Sequence, residues 1–352
     1  RLSTKGLLCG AFQCVSVLIV VYKYIKMSEF QAPAVLDMNE LDIRKATTPE
    51  LIIVNQRAYE ATTSIGLRPT QEDRFILIPK FFVDEMAFCG VFDGTVGPDA
   101  SEFVAQNICS HLCETEEVKE MIALHNSSNG NITNEVAAGK IRIAMRSAFL
   151  NADAALIRMC ADKELHYASS TGVSAFLWKN LLTVAHVGDS KACIAKVKDN
   201  EVQPEWLTVD HKPHMPHELQ RIERNGGSLA WLHGNKPYIR GGDFFRRQAN
   251  GEHPKQLNYS RAFGGKDLKM FGLSSEPDIN HFEITPEDKL VLIASDGLWD
   301  VLNPKVACDI AICARREGRS ATYDIVQRAI HDMPICGVRD NITVIALFLN
   351  EL

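Results

Sequence analysis

The sequence predicts an α+β fold, with mixed or antiparallel sheets covered by helices. Strand-like apolar runs come in clusters with helical stretches between them, not in strict alternation, which argues against a doubly wound parallel sheet. Four short segments also place acidic residues at the ends of apolar runs: GLRPTQEDR from Gly66, GVFDGTVG from Gly90, LVLIASDGLWD from Leu290 and DNITVIALF from Asp340. Runs of this length, rich in Val, Ile and Phe, are the pattern of buried strands.

Along the chain, residues 1–60 read as an N-terminal extension. Its segment 7–25 is nearly all apolar, interrupted by Gln13 and Lys23, and is close to the roughly 20 residues that cross a bilayer. Basic residues flank both sides, so charge does not orient it. It reads as a membrane anchor, as a stretch outside the working protein, or as a packed helix. Residues 28–60 are a polar lead-in, and one domain is expected over 61–352. Arg74–Pro79 and Met86–Phe92 are strands, and Ala100–Cys113 carries apolar residues at helical spacing. Ser127–Asn134 is a loop, and Glu135–Lys163 is the longest helix. Gly172–Trp178 and Leu181–Val187 are strands joined by Lys179-Asn180, a hairpin-length turn. Lys289–Ala294 is a strand, Pro304–Arg316 and Ser320–Asp332 are helices, and Asn341–Leu349 closes as a strand. Gly234–Gln256 has no period and reads as a long loop of functional character.

Composition removes several functions. With 44 acids against 38 bases the formal charge is −6, which gives no electrostatic case for nucleic acid. The ten cysteines are dispersed without CxxC pairs, as in a reducing, cytoplasmic compartment, and none stands in a nucleophile context. No GxxxxGK[ST], no strand followed by GxGxxG and no EF-hand pattern is present. His211, His214 and His217 cluster in DHKPHMPH without the helical HExxH spacing of zinc hydrolases.

The acids remain. Asp93, Asp296 and Asp340 stand at strand ends, and Glu72-Asp73 precede the strand from Arg74. One strand-end aspartate is ordinarily a turn former. Several converging on one sheet edge would repel one another unless cations neutralise them. Oxygen-only ligands select Mg²⁺ or Mn²⁺ over Zn²⁺. Arg68, four residues before Glu72, has a fork suited to a phosphate held beside such ions.

The ordered series GLRPTQEDR, VFDG, TGVSAFLW, LLTVAHVGDSK, LTVDHKP, RIERNGG, YSRAFGG, LIASDGLWDVL and DNITVIAL resembles the metal-dependent type 2C family of Ser/Thr protein phosphatases, from about Ala61 to Leu349. The resemblance implies two antiparallel β-sheets packed face to face with helices outside, a four-layer α-β-β-α sandwich. It implies two Mg²⁺ or Mn²⁺ ions, bridged by Asp93 and held further by the Gly94 carbonyl, Asp296 and Asp340. Glu72 and Asp73 would act through bound waters, and Arg68 would bind the substrate phosphate. Asp189 and Asp300 match positions associated with a weaker third ion, and residues 213–262 match a variable flap beside the site. Phosphorylated proteins are the expected substrates, attacked by a metal-bridging hydroxide, and the chain is expected to act as a monomer. It would be cytoplasmic, or membrane-tethered if segment 7–25 is an anchor.

The departures are informative. The family's DGHGG is DGTVG here, with Thr95 in place of the histidine expected to act as general acid and Val96 in place of a glycine. GDSR is GDSK at Lys191, and the acid after the SRALG pattern is Gly265. A threonine hydroxyl is too weak an acid to replace imidazole, and general acid help is worth roughly 10²–10⁴-fold. A handicapped hydrolase is therefore expected, its rival being a pseudophosphatase that binds phosphoproteins without turnover.

Overall fold

Residues 49–127, 132–232 and 234–352 of this computed structural model are described here. Segment 7–25 and part of the loop expected at Ser127–Asn134 lie outside them. No described helix is long and apolar enough to cross a membrane. Strand structure starts before residue 61: β1 (Ile52–Val54) and β2 (Arg57–Ser64) occupy the end of the stretch read as polar lead-in. β3 (Arg74–Ile78), β4 (Met86–Phe92) and the short β5 (Gly94–Thr95) follow. Three helices come next, α1 (Asp99–Cys113), α2 (Glu116–Asn126) and α3 (Asn134–Asp162). The chain continues through β6 (Ser169–Ser170), β7 (Gly172–Trp178), β8 (Leu181–Val187), β9 (Lys191–Lys198) and β10 (Glu201–Trp206).

The flap then contains α4 (Pro216–Arg224), the hairpin β11 (Ser228–Leu232) and β12 (Lys236–Arg240), and α5 (Phe244–Ala249). The aperiodic Gly234–Gln256 is thus not a structureless loop. It packs on a small core of its own made by Ile222, Ile239, Leu257, Tyr259 and Leu273. β13 (Phe263–Gly264), α6 (Lys266–Lys269), β14 (Asp278–Glu283), β15 (Asp288–Ala294), α7 (Asp296–Trp299), α8 (Pro304–Arg316), α9 (Ala321–Cys336) and β16 (Ile342–Phe348) complete the described order.

Two large sheets result, one in the order β1-β2-β16-β15-β9-β10 and the other β14-β8-β7-β4-β3, with every neighbouring pair antiparallel. Because side chains alternate faces along a strand, each central strand feeds two cores. Met86, Phe88 and Phe92 of β4 pack towards α1 and α3, while Ala87, Cys89 and Val91 enter the cluster between the sheets. On β15, Leu290 and Leu292 face α8 and α9, and Val291 and Ile293 face the other sheet. Burial on both faces is why these runs read as continuously apolar. Three apolar layers between four structural layers give the α-β-β-α sandwich.

Capping sets the helix starts. Asn303 accepts from the Val306 N–H at 3.0 Å with Pro304 in the first turn, and Ser320 accepts from Tyr323 at 3.2 Å. α9 runs past the expected Asp332 to Cys336 and ends on Gly337 in the left-handed region at φ 71°.

Candidate active site

Both large sheets contribute acids to one end of the sandwich. β4 ends at Phe92 and delivers Asp93. β15 ends at Ala294 and hands Ser295 and Asp296 to α7, and Asp340 lies just ahead of β16. Asp73 precedes β3, and Asp189 lies in the turn between β8 and β9.

These acids act on one another's ionisation. Burial pushes Asp93 well above the usual carboxylate range, helped by Asp296, Asp73, Asp340 and Asp189. Asp296 rises in the same way, through burial and then Asp189, Asp340 and Asp300, with Lys212 opposing. Asp73, 1% exposed, is pushed up to about 6 by burial, although Ser295 Oγ donates to it at 2.7 Å. Burial also raises Asp340, against the pull of Arg68. The donors are all oxygen, buried or half-buried and mutually repelling, a set that fits hard divalent cations.

Arg68 is half exposed, donating from Nε to the Arg339 carbonyl at 2.6 Å and from Nη2 to Asp340 at 3.0 Å. Asp93 and Asp296 also favour its charge. Those two bonds leave the rest of the guanidinium fork free for a planar anion. Gly94 is required by a close approach: a Cβ there would lie 2.6 Å from the Glu72 carbonyl oxygen and 2.8 Å from Ser101 Oγ. The Glu72 carboxylate accepts from the Gly97 N–H at 3.0 Å and from Thr70 at 3.1 Å, so it braces the loop beside the acids.

The residues matched to a third ion are engaged by lysines, one just ahead of the flap and one within it. Asp189 pairs with Lys212 at 2.5 Å, and the exposed Asp300 pairs with Lys236 at 3.7 Å. Of the DHKPHMPH histidines, His211 is buried, stacked on His186 at 4.6 Å and bonded to Asp278 at 3.2 Å. Among the described residues, His186, His211 and Asp278 are the one three-ligand group with all ligand atoms within 4.8 Å. The His211 Nδ1 accepts from the Gly188 N–H, so its Nε2 carries the proton that Asp278 receives. Arg261 takes the other Asp278 oxygen at 2.8 Å, which makes this a hydrogen-bonded brace and a poor metal ligand set. His214 lies against Trp231 and His217 against Glu218.

The departures differ in how they fit locally. Val96 is in the left-handed region at φ 64°. Gly265 is there too, at φ 63°, and a Cβ would meet Leu273 Cδ2 at 2.5 Å, so an acid would strain the backbone and have to displace that side chain. Lys191 pairs with Asp210 at 3.5 Å and covers the Trp206 ring at 5.0 Å.

Sequence reasoning missed three neighbours. Ser295 bonds Asp73. Asn341 ties down the 65–72 loop, donating to the Ile65 and Thr70 carbonyls at 3.0 and 2.8 Å and accepting from the Glu72 N–H at 2.8 Å. Tyr259 places a buried phenol beside Thr95. Ser295 and Asn341 adjoin Asp296 and Asp340, a signal that could have found them. Tyr259 had none.

The protein phosphatase 2C family model matches residues 58–341. The chain is 30% identical over 308 residues to probable protein phosphatase 2C 61 of Arabidopsis thaliana, covering 85% of this chain and 86% of that one. It is 30% identical over 263 residues to protein phosphatase 2C 1 of Paramecium tetraurelia, covering 70% and 74%. The crystal structure of serine-threonine phosphatase 2C from Toxoplasma gondii superposes with a TM-score of 0.82 at 41% identity, over 86% of this chain and 98% of that one. Fold, buried acids and relatives agree, and the chain belongs to the protein phosphatase 2C family, as a metal-dependent serine/threonine phosphatase.

Proposed function

We propose that the chain hydrolyses phosphoserine and phosphothreonine esters in proteins by direct attack of water. Two Mg²⁺ or Mn²⁺ ions would be held by Asp93 between them, with the Gly94 carbonyl, Asp296 and Asp340, and with Glu72 and Asp73 through water. The observation that supports this reading is that Asp93 and Asp296 stand at the ends of strands from the two sheets, each raised by burial and then by neighbouring carboxylates, with Asp296 among those acting on Asp93. Bound cations would lower the pKa of a coordinated water and neutralise phosphate oxygens. The chain's own residues do the rest. Arg68 presents the free part of its fork to the phosphate, and Asp340 fixes that fork. Ser295 holds Asp73, and Asn341 holds the loop that carries Arg68 and Glu72.

Thr95 supplies a hydroxyl but no acid of useful strength, so esters with basic leaving groups should turn over slowly. A third cation at Asp189 and Asp300 would have to displace Lys212 and Lys236. Membrane tethering through segment 7–25 and action as a monomer belong to the same proposal and rest on the sequence alone.

Hydrolysis of an aryl phosphate with Mn²⁺, repeated in excess EDTA, tests the core of this. Activity should require the metal, and Asp93→Asn should remove it. Thr95→His should raise phosphopeptide turnover more than aryl phosphate turnover, because a phenolate leaves with little need of a proton and a serine alkoxide does not. Equal turnover in EDTA would sink the metal-centred reading. Metal-dependent phosphopeptide binding with no turnover of either substrate would favour the pseudophosphatase.

A further inference from the structure

Beside the acids lies a groove that the chemistry of the site does not use. It is about 380 Å³ in volume and is walled by Trp206, Val209 and Met215, with Lys191, Asp210 and Lys212 lining it further. Trp206 ends β10 and stays 43% exposed, and Val209 is 61% exposed. Trp231 of β11, half exposed, lies against His214, which also borders the groove. Apolar surface gathered at one place on a protein that otherwise buries it marks a contact site.

The groove and the acids share parts. Lys212 pairs with Asp189 at 2.5 Å and is among the charges acting on Asp296. Trp206 meets the Trp299 ring edge to face at 5.0 Å between centroids, and Trp299 closes the short helix α7 that opens with Asp296. The Trp299 indole donates to the Lys191 and Ala294 carbonyls at 3.2 and 3.1 Å, which ties this wall to the end of β15. The wall is also fixed. The Val209 carbonyl accepts from His186 Nε2 at 2.8 Å, Thr208 Oγ1 accepts from the Ala192 N–H at 3.1 Å, and the His211 N–H donates to the Gly188 carbonyl at 2.9 Å. The exposed side chains therefore stand on a backbone that a ligand does not have to order.

Charge narrows the occupant. Both cations are engaged, Lys191 with Asp210 at 3.5 Å and Lys212 with Asp189, so a phosphate or carboxylate would have to break an ion pair to enter. The surface that remains is apolar and aromatic. A phosphoprotein held at the acids must lay the chain on either side of its phosphoserine across the adjoining surface. At about 3.3 Å per extended residue, a side chain five positions away reaches ~17 Å. We propose that this groove is a specificity subsite that takes one large apolar side chain, aromatic or aliphatic, from the substrate segment flanking the phosphoserine. The proposal rests on the phosphatase reading of the site and gives it a substrate class, phosphoproteins with a leucine, phenylalanine or tryptophan near the modified residue.

The test uses phosphoseryl peptides that are polar throughout, and versions with a single leucine or tryptophan scanned over about five positions on each side of the phosphoserine. Each peptide is assayed as a competitor of Mn²⁺-dependent 4-nitrophenyl phosphate hydrolysis, so its inhibition constant is read even where the seryl ester turns over slowly. At one position, or at two on the same face of the extended chain, the apolar residue should lower that constant about tenfold, which is what partial burial of one such side chain provides. Val209→Glu and Val209→Lys should both return it to the value of the polar peptide. The constant for the polar peptide should be the same in all three proteins. No apolar preference at any position, a preference that survives both variants, equal losses for polar and apolar peptides, or opposite effects of the two introduced charges would overturn the proposal. A wild-type chain without metal-dependent turnover of 4-nitrophenyl phosphate would overturn the phosphatase reading and this proposal together, an outcome distinct from turnover that is indifferent to the flanking residues.

Discussion

Val96 holds a β-branched side chain, 45% exposed, at a backbone angle that favours glycine. For an L-residue that conformation costs roughly 1–2 kcal/mol, and more where branching crowds the backbone. It lies between Thr95 and Gly97, whose N–H anchors the Glu72 carboxylate. Val96→Gly should therefore raise unfolding stability by about 1 kcal/mol, after the entropy that glycine adds to the unfolded chain is subtracted. Urea midpoints at unchanged m-value are the measurement, and a lower midpoint would show that the isopropyl group earns contacts worth more than the strain. At this scale the positions of Asp93, Asp296 and Asp340 at strand ends were legible, because an acid bordering an apolar run must lie where a strand starts or stops. Tyr259 was not legible, since a tyrosine in an aperiodic stretch carries no sign of which wall of the site its hydroxyl reaches.

Between elements, the least expected contact is a buried acid in a central strand. Glu60 on β2 is 2% exposed, and its carboxylate accepts from the Ala321 and Thr322 N–H groups at 2.8 and 3.1 Å and from Ser320 Oγ at 2.9 Å. These are unpaired donors of the first turn of α9, where negative charge is favoured. Burial raises the Glu60 carboxyl, and the three hydrogen bonds oppose that rise. Glu60→Ala should cost about 2–4 kcal/mol by stranding those donors, and Glu60→Gln less, because an amide oxygen still accepts. Chemical denaturation of both variants decides it, and equal losses would place the effect in packing. Elements buried on both faces, such as β4, β7 and β15, announced themselves as apolar runs. α2 and β10 did not: α2 buries only Val118 and Met121, and β10 is an edge strand with Val202 as its one buried residue and a tolerated Pro204. The flap helix and hairpin were hidden for a related reason, since a core of a few residues leaves too little periodic signal.

At the scale of the molecule, stability should depend on pH through the histidine stack. Burial and the neighbouring His211 lower His186 to about 4, and Asp278 and Arg261 act on it in opposite directions. The unfolded chain binds this proton near pH 6.5 and the native state only near 4, so the contribution is complete above 6.5 and is lost as pH falls towards 4. At pH 5 the loss approaches 2 kcal/mol. Raised acids such as Asp73 act with the opposite sign, favouring the native state as pH falls through 6. The difference between wild type and His186→Asn cancels them. Melting temperatures at pH 7 and pH 5 should show a smaller acid-induced drop in the variant, and parallel drops would remove His186 from the account.

The position of β16 has a temporal consequence. It is the last described strand, yet it lies inside its sheet, between β2 and β15. Its partner β2 is among the first strands made, and Asp340 arrives just ahead of it. A ribosome must pass residue 348 before the central strand of one leaf exists, and β2 waits meanwhile with an exposed edge and the buried charge of Glu60 unsheltered. Shorter nascent chains have neither a finished sheet nor a complete set of acids. Catalytic competence should thus switch on in a single late event, with no active fragment preceding it, and during that wait the edge of β2 is the surface most in need of a chaperone.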